Sequence, residues 1–147
     1  MTDSSNRSPF VELVDIMARL RAPGGCPWDR EQDHATLKPY LLEEAYEVLD
    51  AIDAGDDGEL CAELGDVLLQ VVFHAQVASE ADRFTVDDVC QAIVDKLIRR
   101  HPHVFGDTAV DGAGDVLRNW EQIKLEERCG APESPPSALD GVPRPMP

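Results

Sequence analysis

Basic residues are scarce: 13 Lys and Arg stand against 29 Asp and Glu, a formal net charge of -16 over 147 residues. Such a chain is poorly suited to neutralising nucleic-acid phosphates, which disfavours sequence-independent DNA or RNA binding and docking on an anionic membrane surface. A small phosphorylated substrate stays open if metal ions screen the acids. No apolar run approaches the length needed to span a bilayer. Met1 to Pro9 lacks an apolar signal core, so a cytoplasmic protein is expected. Cys26, Cys61, Cys90 and Cys129 are far apart and form no Cys-x-x-Cys, which argues against a zinc ribbon or a redox pair. Cys61 and Cys90 are expected as small buried hydrophobes. There is no Gly-x-x-x-x-Gly-Lys-Ser/Thr loop to hold phosphates and no hairpin signal. Aromatics are only 5% of the chain, so the core must be built mainly from Leu, Val, Ile and Ala. The length fits one domain with a real core.

What the chain does contain is acid in a repeated pattern. Leu41-Leu42-Glu43-Glu44-Ala45-Tyr46-Glu47 and Leu60-Cys61-Ala62-Glu63-Leu64-Gly65-Asp66 each carry a leucine, a carboxylate three residues on and another three after that. On a helix a step of three keeps side chains on one face, roughly 60° apart. Glu44 and Glu47 therefore project together, as do Glu63 and Asp66. Both pairs flank an apolar stripe: Leu41, Ala45, Val48 and Ile52 on one helix, Leu60, Leu64, Val67 and Val71 on the other. Packing by those stripes would bring four carboxylates together at the edge of the contact. Like charges held so close need cations, and all-oxygen ligands suit Mg²⁺ or Mn²⁺. The competing reading is two ordinary acidic faces in water. The repeat, at one offset from the apolar stripe, favours the metal.

Ser8-Pro9 reads as a helix start, and Pro23-Gly24-Gly25 as its stop. An aromatic-bearing loop, 26–34, follows. Its Trp28 either plugs the loop base or offers its ring to a nucleobase. A second helix is expected from Thr36, with Pro39 in its first turn, to Ala54. A third runs from an Asp56 or Asp57 cap to about Glu80. Its stretch Val67 to Phe73 is apolar nearly all round and calls for cover on more than one side, for which a second subunit is the natural candidate. Thr85 to Asp88 resembles a capping box opening a fourth helix, which should bury Val86, Val89, Ile93 and Leu97. Lys96 and Arg100, one turn apart, suit phosphate contact or plain charge balance at a helix end. His101-Pro102-His103 is read as structural. A short helix from Asp115 to about Arg128 carries Trp120 and Lys124 one turn apart. Beyond it, residues 129–147 are proline-rich and read as a tail or linker. The reading is a flexible N-terminus over 1–9, one all-α domain over 10–128 and that tail.

Five strings resemble the N-terminal domain of the MazG-type nucleoside triphosphate pyrophosphohydrolases. They are Gly25 to Asp29, Glu43 to Ile52, Glu63 to Leu68, Arg99 to Phe105 and Asn119 to Lys124, in order. The resemblance implies a MazG-like bundle of four to five helices completed by homodimerisation, or by a dimer of dimers. It implies conversion of a nucleoside triphosphate and water to the monophosphate and pyrophosphate, as nucleotide-pool house-cleaning. Glu44, Glu47, Glu63 and Asp66 would bind Mg²⁺, with Mn²⁺ as a substitute. Glu43 or Glu47 would orient the attacking water. Lys96 and Arg100 would meet the phosphates, and Trp120 and Lys124 the nucleotide. Tyr40 stands where some members have a phosphate-binding lysine. Longer members continue into a second domain after a segment like Leu139 to Pro143, so this chain is a short form or a piece of one. Two alternatives remain: a narrow dNTP pyrophosphatase, for dUTP, dCTP or a damaged nucleotide, and a degenerate regulatory or dimerisation module. A di-iron carboxylate bundle needs Glu-x-x-His on core helices, which neither acidic helix supplies.

Overall fold

A computed structural model describes residues 6–130, and every regular element among them is a helix. These are α1 (Pro9–Arg21), α2 (Pro27–Glu31), α3 (His34–Ala54), α4 (Asp57–Glu80), α5 (Val86–Arg100), α6 (Pro102–Phe105) and α7 (Ala113–Gly130). The all-α expectation holds, with more helices than the sequence predicts because two short ones form. Pro27 starts the five-residue α2 within the expected loop, and Pro102 starts the four-residue α6. Cys129 and Gly130 close α7. The remaining tail, 131–147, lies outside the described residues.

Local chemistry sets the helix ends. The Ser8 hydroxyl accepts from Phe10 N, and Pro9 occupies the first turn of α1. Gly25 follows because a Cβ there would meet the Leu20 carbonyl oxygen at 2.2 Å. Helix α3 begins two residues before Thr36. Asp33 is the cap: its carboxylate accepts from Thr36 N at 2.8 Å, and the Thr36 hydroxyl accepts from Asp33 N at 2.8 Å. Pro39 therefore sits inside the helix. Gly55, with φ of 69°, ends α3 in the left-handed region. Asp56 then caps α4 by accepting from Glu59 N.

The described residues fall into two compact units, divided between Ala92 and Ile93. In the first, α3 and α4 form an antiparallel hairpin, and α1 packs on α4. The core is Met17, Leu37, Val72 and Phe73, ringed by Phe10, Leu13, Val14, Leu20, Leu69, Val77 and Val86. Each fully buried apolar side chain is worth about 1.5–3 kcal/mol. Arg21, whose side chain is 9% exposed, locks this end. It pairs with Glu80 at 2.7 Å, donates to the carbonyls of Asp29 and Gln32, and lies 5.6 Å from the Phe73 ring centre.

Two predicted faces are corrected. Ile93 and Leu97 of α5 stay about half exposed instead of buried. Cys61 and Cys90 are exposed instead of buried. Helix α4 is long and apolar enough to cross a membrane by length and composition, but Glu63, Asp66 and Gln70 at its middle would make that costly.

In the second unit, Glu127 of α7 receives Arg99 at 2.6 Å and Arg100 at 3.1 Å, and its carboxyl is held below the usual range, chiefly by the Arg99 hydrogen bond. The His101 ring meets Trp120 edge-on at 5.1 Å.

Candidate functional site

The hairpin seam differs from the apolar stripes that the sequence suggests. On α3 the shielded residues are His34, Leu37, Glu44, Val48 and Ala51, at helical spacing. Facing them, the first turns of α4 shield Leu60, Glu63, Val67 and Gln70. His34 Nδ1 lies 2.8 Å from His74 Nδ1, which fixes the antiparallel register. Glu44 and Glu63 thus lie within the contact and do not flank it. Leu41, Ile52, Leu64 and Val71 of the predicted stripes are left exposed. A helix stripe and its neighbour differ by about one 100° step, and the acids took the inner one.

Three carboxylates converge there. Oxygens of Glu44, Glu63 and Asp66 lie within 4.8 Å of one another, the two glutamates half-buried and the aspartate exposed. Partial loss of solvent raises the Glu44 carboxyl above its ordinary 4.5, and the charges of Asp66, Glu43 and Glu47 add to it. Glu63 is raised by the same loss of solvent, then by Glu47, Asp66, Glu44 and Glu59. Among the described residues, no Lys or Arg makes an ion pair with any of these acids. Glu47 and Glu43 are exposed and act on the cluster by charge. A set of close, unpaired, hard oxygen donors fits a divalent cation such as Mg²⁺ or Mn²⁺.

The first unit also holds Trp28, 46% exposed. One edge contact meets Tyr40 at 5.5 Å and another meets Phe73 at 6.5 Å, so the ring is both anchored and offered to solvent. Tyr40 is one turn before Glu44 on α3. The other substrate candidates belong to the second unit. Lys96 is exposed on α5, and Lys124 pairs with Glu121 at 3.5 Å. Arg100 and Trp120 each retain a buried N–H without a partner, Nε and Nε1 respectively.

Gln70 escapes the sequence reading. Its one signal is that it is the polar position in Val67 to Phe73, seven residues after Glu63.

A model of the MazG nucleotide pyrophosphohydrolase domain matches residues 32–105, which span α3 to α6. A nucleoside triphosphate pyrophosphohydrolase of Escherichia coli K12 is 57% identical over 136 residues, covering 92% of this chain and 51% of that protein. The nucleoside triphosphate pyrophosphohydrolase/pyrophosphatase MazG of Thermotoga maritima is 56% identical over 119 residues, covering 81% of this chain and 45% of that protein. The chain thus spans about half the length of each. A crystal structure of a mazG-related protein from Thermotoga maritima superposes with a TM-score of 0.66 and 28% identity, over 78% of this chain and 98% of that one.

Proposed function

Because the chain belongs to the MazG nucleotide pyrophosphohydrolase family, we propose that it hydrolyses nucleoside triphosphates to the monophosphate and pyrophosphate. The observation that carries this reading is the unpaired Glu44, Glu63 and Asp66 cluster in the α3–α4 seam. Glu44, Glu63 and Asp66, with Glu47 beside them, would hold Mg²⁺, or Mn²⁺ in its place, which would offset the triphosphate charge and polarise the α-phosphate.

The chain's own groups supply the rest. A water oxygen forms a bond to the α-phosphorus as the bond to the α,β-bridging oxygen breaks, and pyrophosphate leaves. Glu43 or Glu47, both exposed beside the cluster, orients that water and takes its proton. Trp28 offers its open face to the base. In this reading Lys96 and Arg100 meet phosphate oxygens, and Trp120 and Lys124 approach the nucleotide.

The protein works as a homodimer in this reading. Leu42, Tyr46, Leu49 and Ile52 of α3 recur at helical spacing and are all more than half exposed. A contiguous apolar face of that kind is unusual on a monomer.

The test is pyrophosphate release across canonical and modified nucleoside triphosphates, with and without chelator. Release from several triphosphates, abolished by chelator, is the expected result. Release confined to one deoxynucleotide narrows the substrate. No release from any triphosphate with Mg²⁺ overturns the enzymatic reading and leaves a binding or dimerisation module.

A further inference from the structure

Among the described residues, Gln70 is the buried polar side chain of the core, 8% exposed. Its Oε1 is shut off from solvent and has no hydrogen-bond partner. An amide oxygen stripped of water without a replacement is a stability cost. A methionine or leucine there would avoid that cost and fill similar space. Toward its far end the seam carries Leu37 and the His34–His74 pair, whose ring nitrogens face each other, and the Gln70 oxygen bonds to neither ring. Packing alone therefore gives no reason for a glutamine.

Its place on α4 supplies one. Gln70 is one turn beyond Asp66 and two beyond Glu63, on the stripe of α4 that faces α3. The four residues from Asp66 to Gln70 rise about 6 Å, within the span of a glutamine side chain plus one water. Side chains on a helix lean toward its N-terminus, so Gln70 leans toward the turn that carries Asp66. The acid cluster and the unpartnered oxygen are independent features of the same seam.

We propose that Gln70 is a positioning residue of the metal centre, its Oε1 accepting a hydrogen bond from water that enters with the divalent cation. The inference rests on the metal-dependent reading above. Mg²⁺ and Mn²⁺ keep part of their water shell in protein sites, and each such water has protons to donate. Carboxylates of the cluster accept some of them. A neutral amide oxygen accepts another without adding a further negative charge to acids that already repel. It cannot take the proton away, so it fixes the direction of the water and leaves its ionisation to the carboxylates. In the metal-free protein the oxygen is left unsatisfied, which is a stability cost tolerated for the loaded state.

Gln70→Met and Gln70→Glu, in the full chain, test this with Mn²⁺ as the probe. Melting of the metal-free protein, Mn²⁺ affinity by calorimetry and pyrophosphate release are measured for each. For Gln70→Met the metal-free melting temperature is expected to hold or rise by a few degrees. Its Mn²⁺ affinity and turnover should both fall about 10-fold or more, the scale seen when an outer partner of a metal site is lost. Gln70→Glu keeps an acceptor oxygen and should retain Mn²⁺ binding. Unchanged Mn²⁺ affinity in Gln70→Met overturns the proposal and marks an ordinary packing role. If Gln70→Met both melts lower and binds weakly, the glutamate variant decides: retained binding supports the proposal, lost binding overturns it. Affinity is read without turnover. Wild-type protein that binds no Mn²⁺ defeats the metal reading itself, whereas wild-type binding matched by Gln70→Met defeats only the role of Gln70.

Discussion

Glu44 of α3 and Glu63 of α4 meet across the hairpin seam with carboxylate oxygens no more than 4.8 Å apart, and neither has an ion-pair partner among the described residues. Both are half-buried, and both carboxyls are raised above their ordinary range, first by loss of solvent and then by neighbouring acids. A fold built only for stability would place leucine at these two positions, since the stripe otherwise carries Leu37, Val48 and Ala51 opposite Leu60 and Val67. The metal-free protein therefore holds repulsion that a divalent cation would relieve.

Removing one charge should separate stability from activity. Glu44→Gln and Asp66→Asn are each expected to abolish pyrophosphate release, a loss greater than the roughly 10–100-fold that follows removal of an outer partner. Helix content by circular dichroism should not change, and the metal-free protein should melt at the same temperature or higher. Near wild-type turnover in either variant would remove the metal assignment.

The response to Mg²⁺ should depend on pH with a definite sign. The folded-state values of Glu44 and Glu63 lie above 4.5, so folding favours their protonated forms. Their contribution to stability is most favourable below pH 4.5 and is lost as pH rises through the folded values. Cation binding needs both ionised, so the stabilisation by Mg²⁺ grows along the same direction. At about 100 times its dissociation constant a bound ion adds about 2.7 kcal/mol. Thermal melts with millimolar Mg²⁺ should show a clear gain at neutral pH and a smaller one near the acid limit. A gain that is equal at both ends, or absent throughout, contradicts the cluster's role.

How much of this is legible in the sequence depends on the range of the interaction. The cap at Ser8, the αL stop at Gly55 and the helical setting of the two acidic triplets are local, and they read correctly from spacing. The all-α architecture follows from the same periodicity. Which stripe of α3 meets α4 is not local: Leu41–Ala45–Val48–Ile52 is the more apolar choice, yet the contact uses Leu37, Glu44, Val48 and Ala51. Hydrophobicity points to a buried face but cannot distinguish a face buried within the chain from one left for another surface. The burial of Gln70 is hidden for a related reason, since its neighbours make the whole stretch look uniformly apolar. Asp33 as the α3 cap is missed because Thr36 and Pro39 together imitate a later start.

Arg21 should be a stability residue with no part in turnover. It joins α1, α2 and α4 through Glu80, two backbone carbonyls and the Phe73 ring. Hydrogen bonds to a charged donor are worth about 1.5–3 kcal/mol, so Arg21→Met should lower stability by about 2 kcal/mol in urea unfolding while kcat of the folded enzyme is kept. Glu80→Gln should cost less, because Glu80 is exposed to solvent. The Arg21 hydrogen bond depresses the Glu80 carboxyl below 4.5, so its contribution is present above that pH and lost as pH falls through the lowered value. Wild-type and Glu80→Gln should therefore converge in stability in acid. A constant difference at all pH values would assign the effect to packing.

The exposed apolar face of the hairpin carries the last expectation. Leu49 and Ile52 are each 54% exposed on α3, and Leu64 is 51% exposed on α4. In the proposed dimer a second copy of the same hairpin would cover these side chains through an isologous contact. Because the interface is self-complementary, one substitution alters it twice. Leu49→Asp should therefore shift sedimentation from a dimer toward a monomer without touching Glu44 or Glu63. The monomer should keep α1 packed on α4, with Met17 and Phe73 in the core, since that core is complete within one chain. Wild-type protein that sediments as a monomer at every concentration would leave this face without its proposed cover.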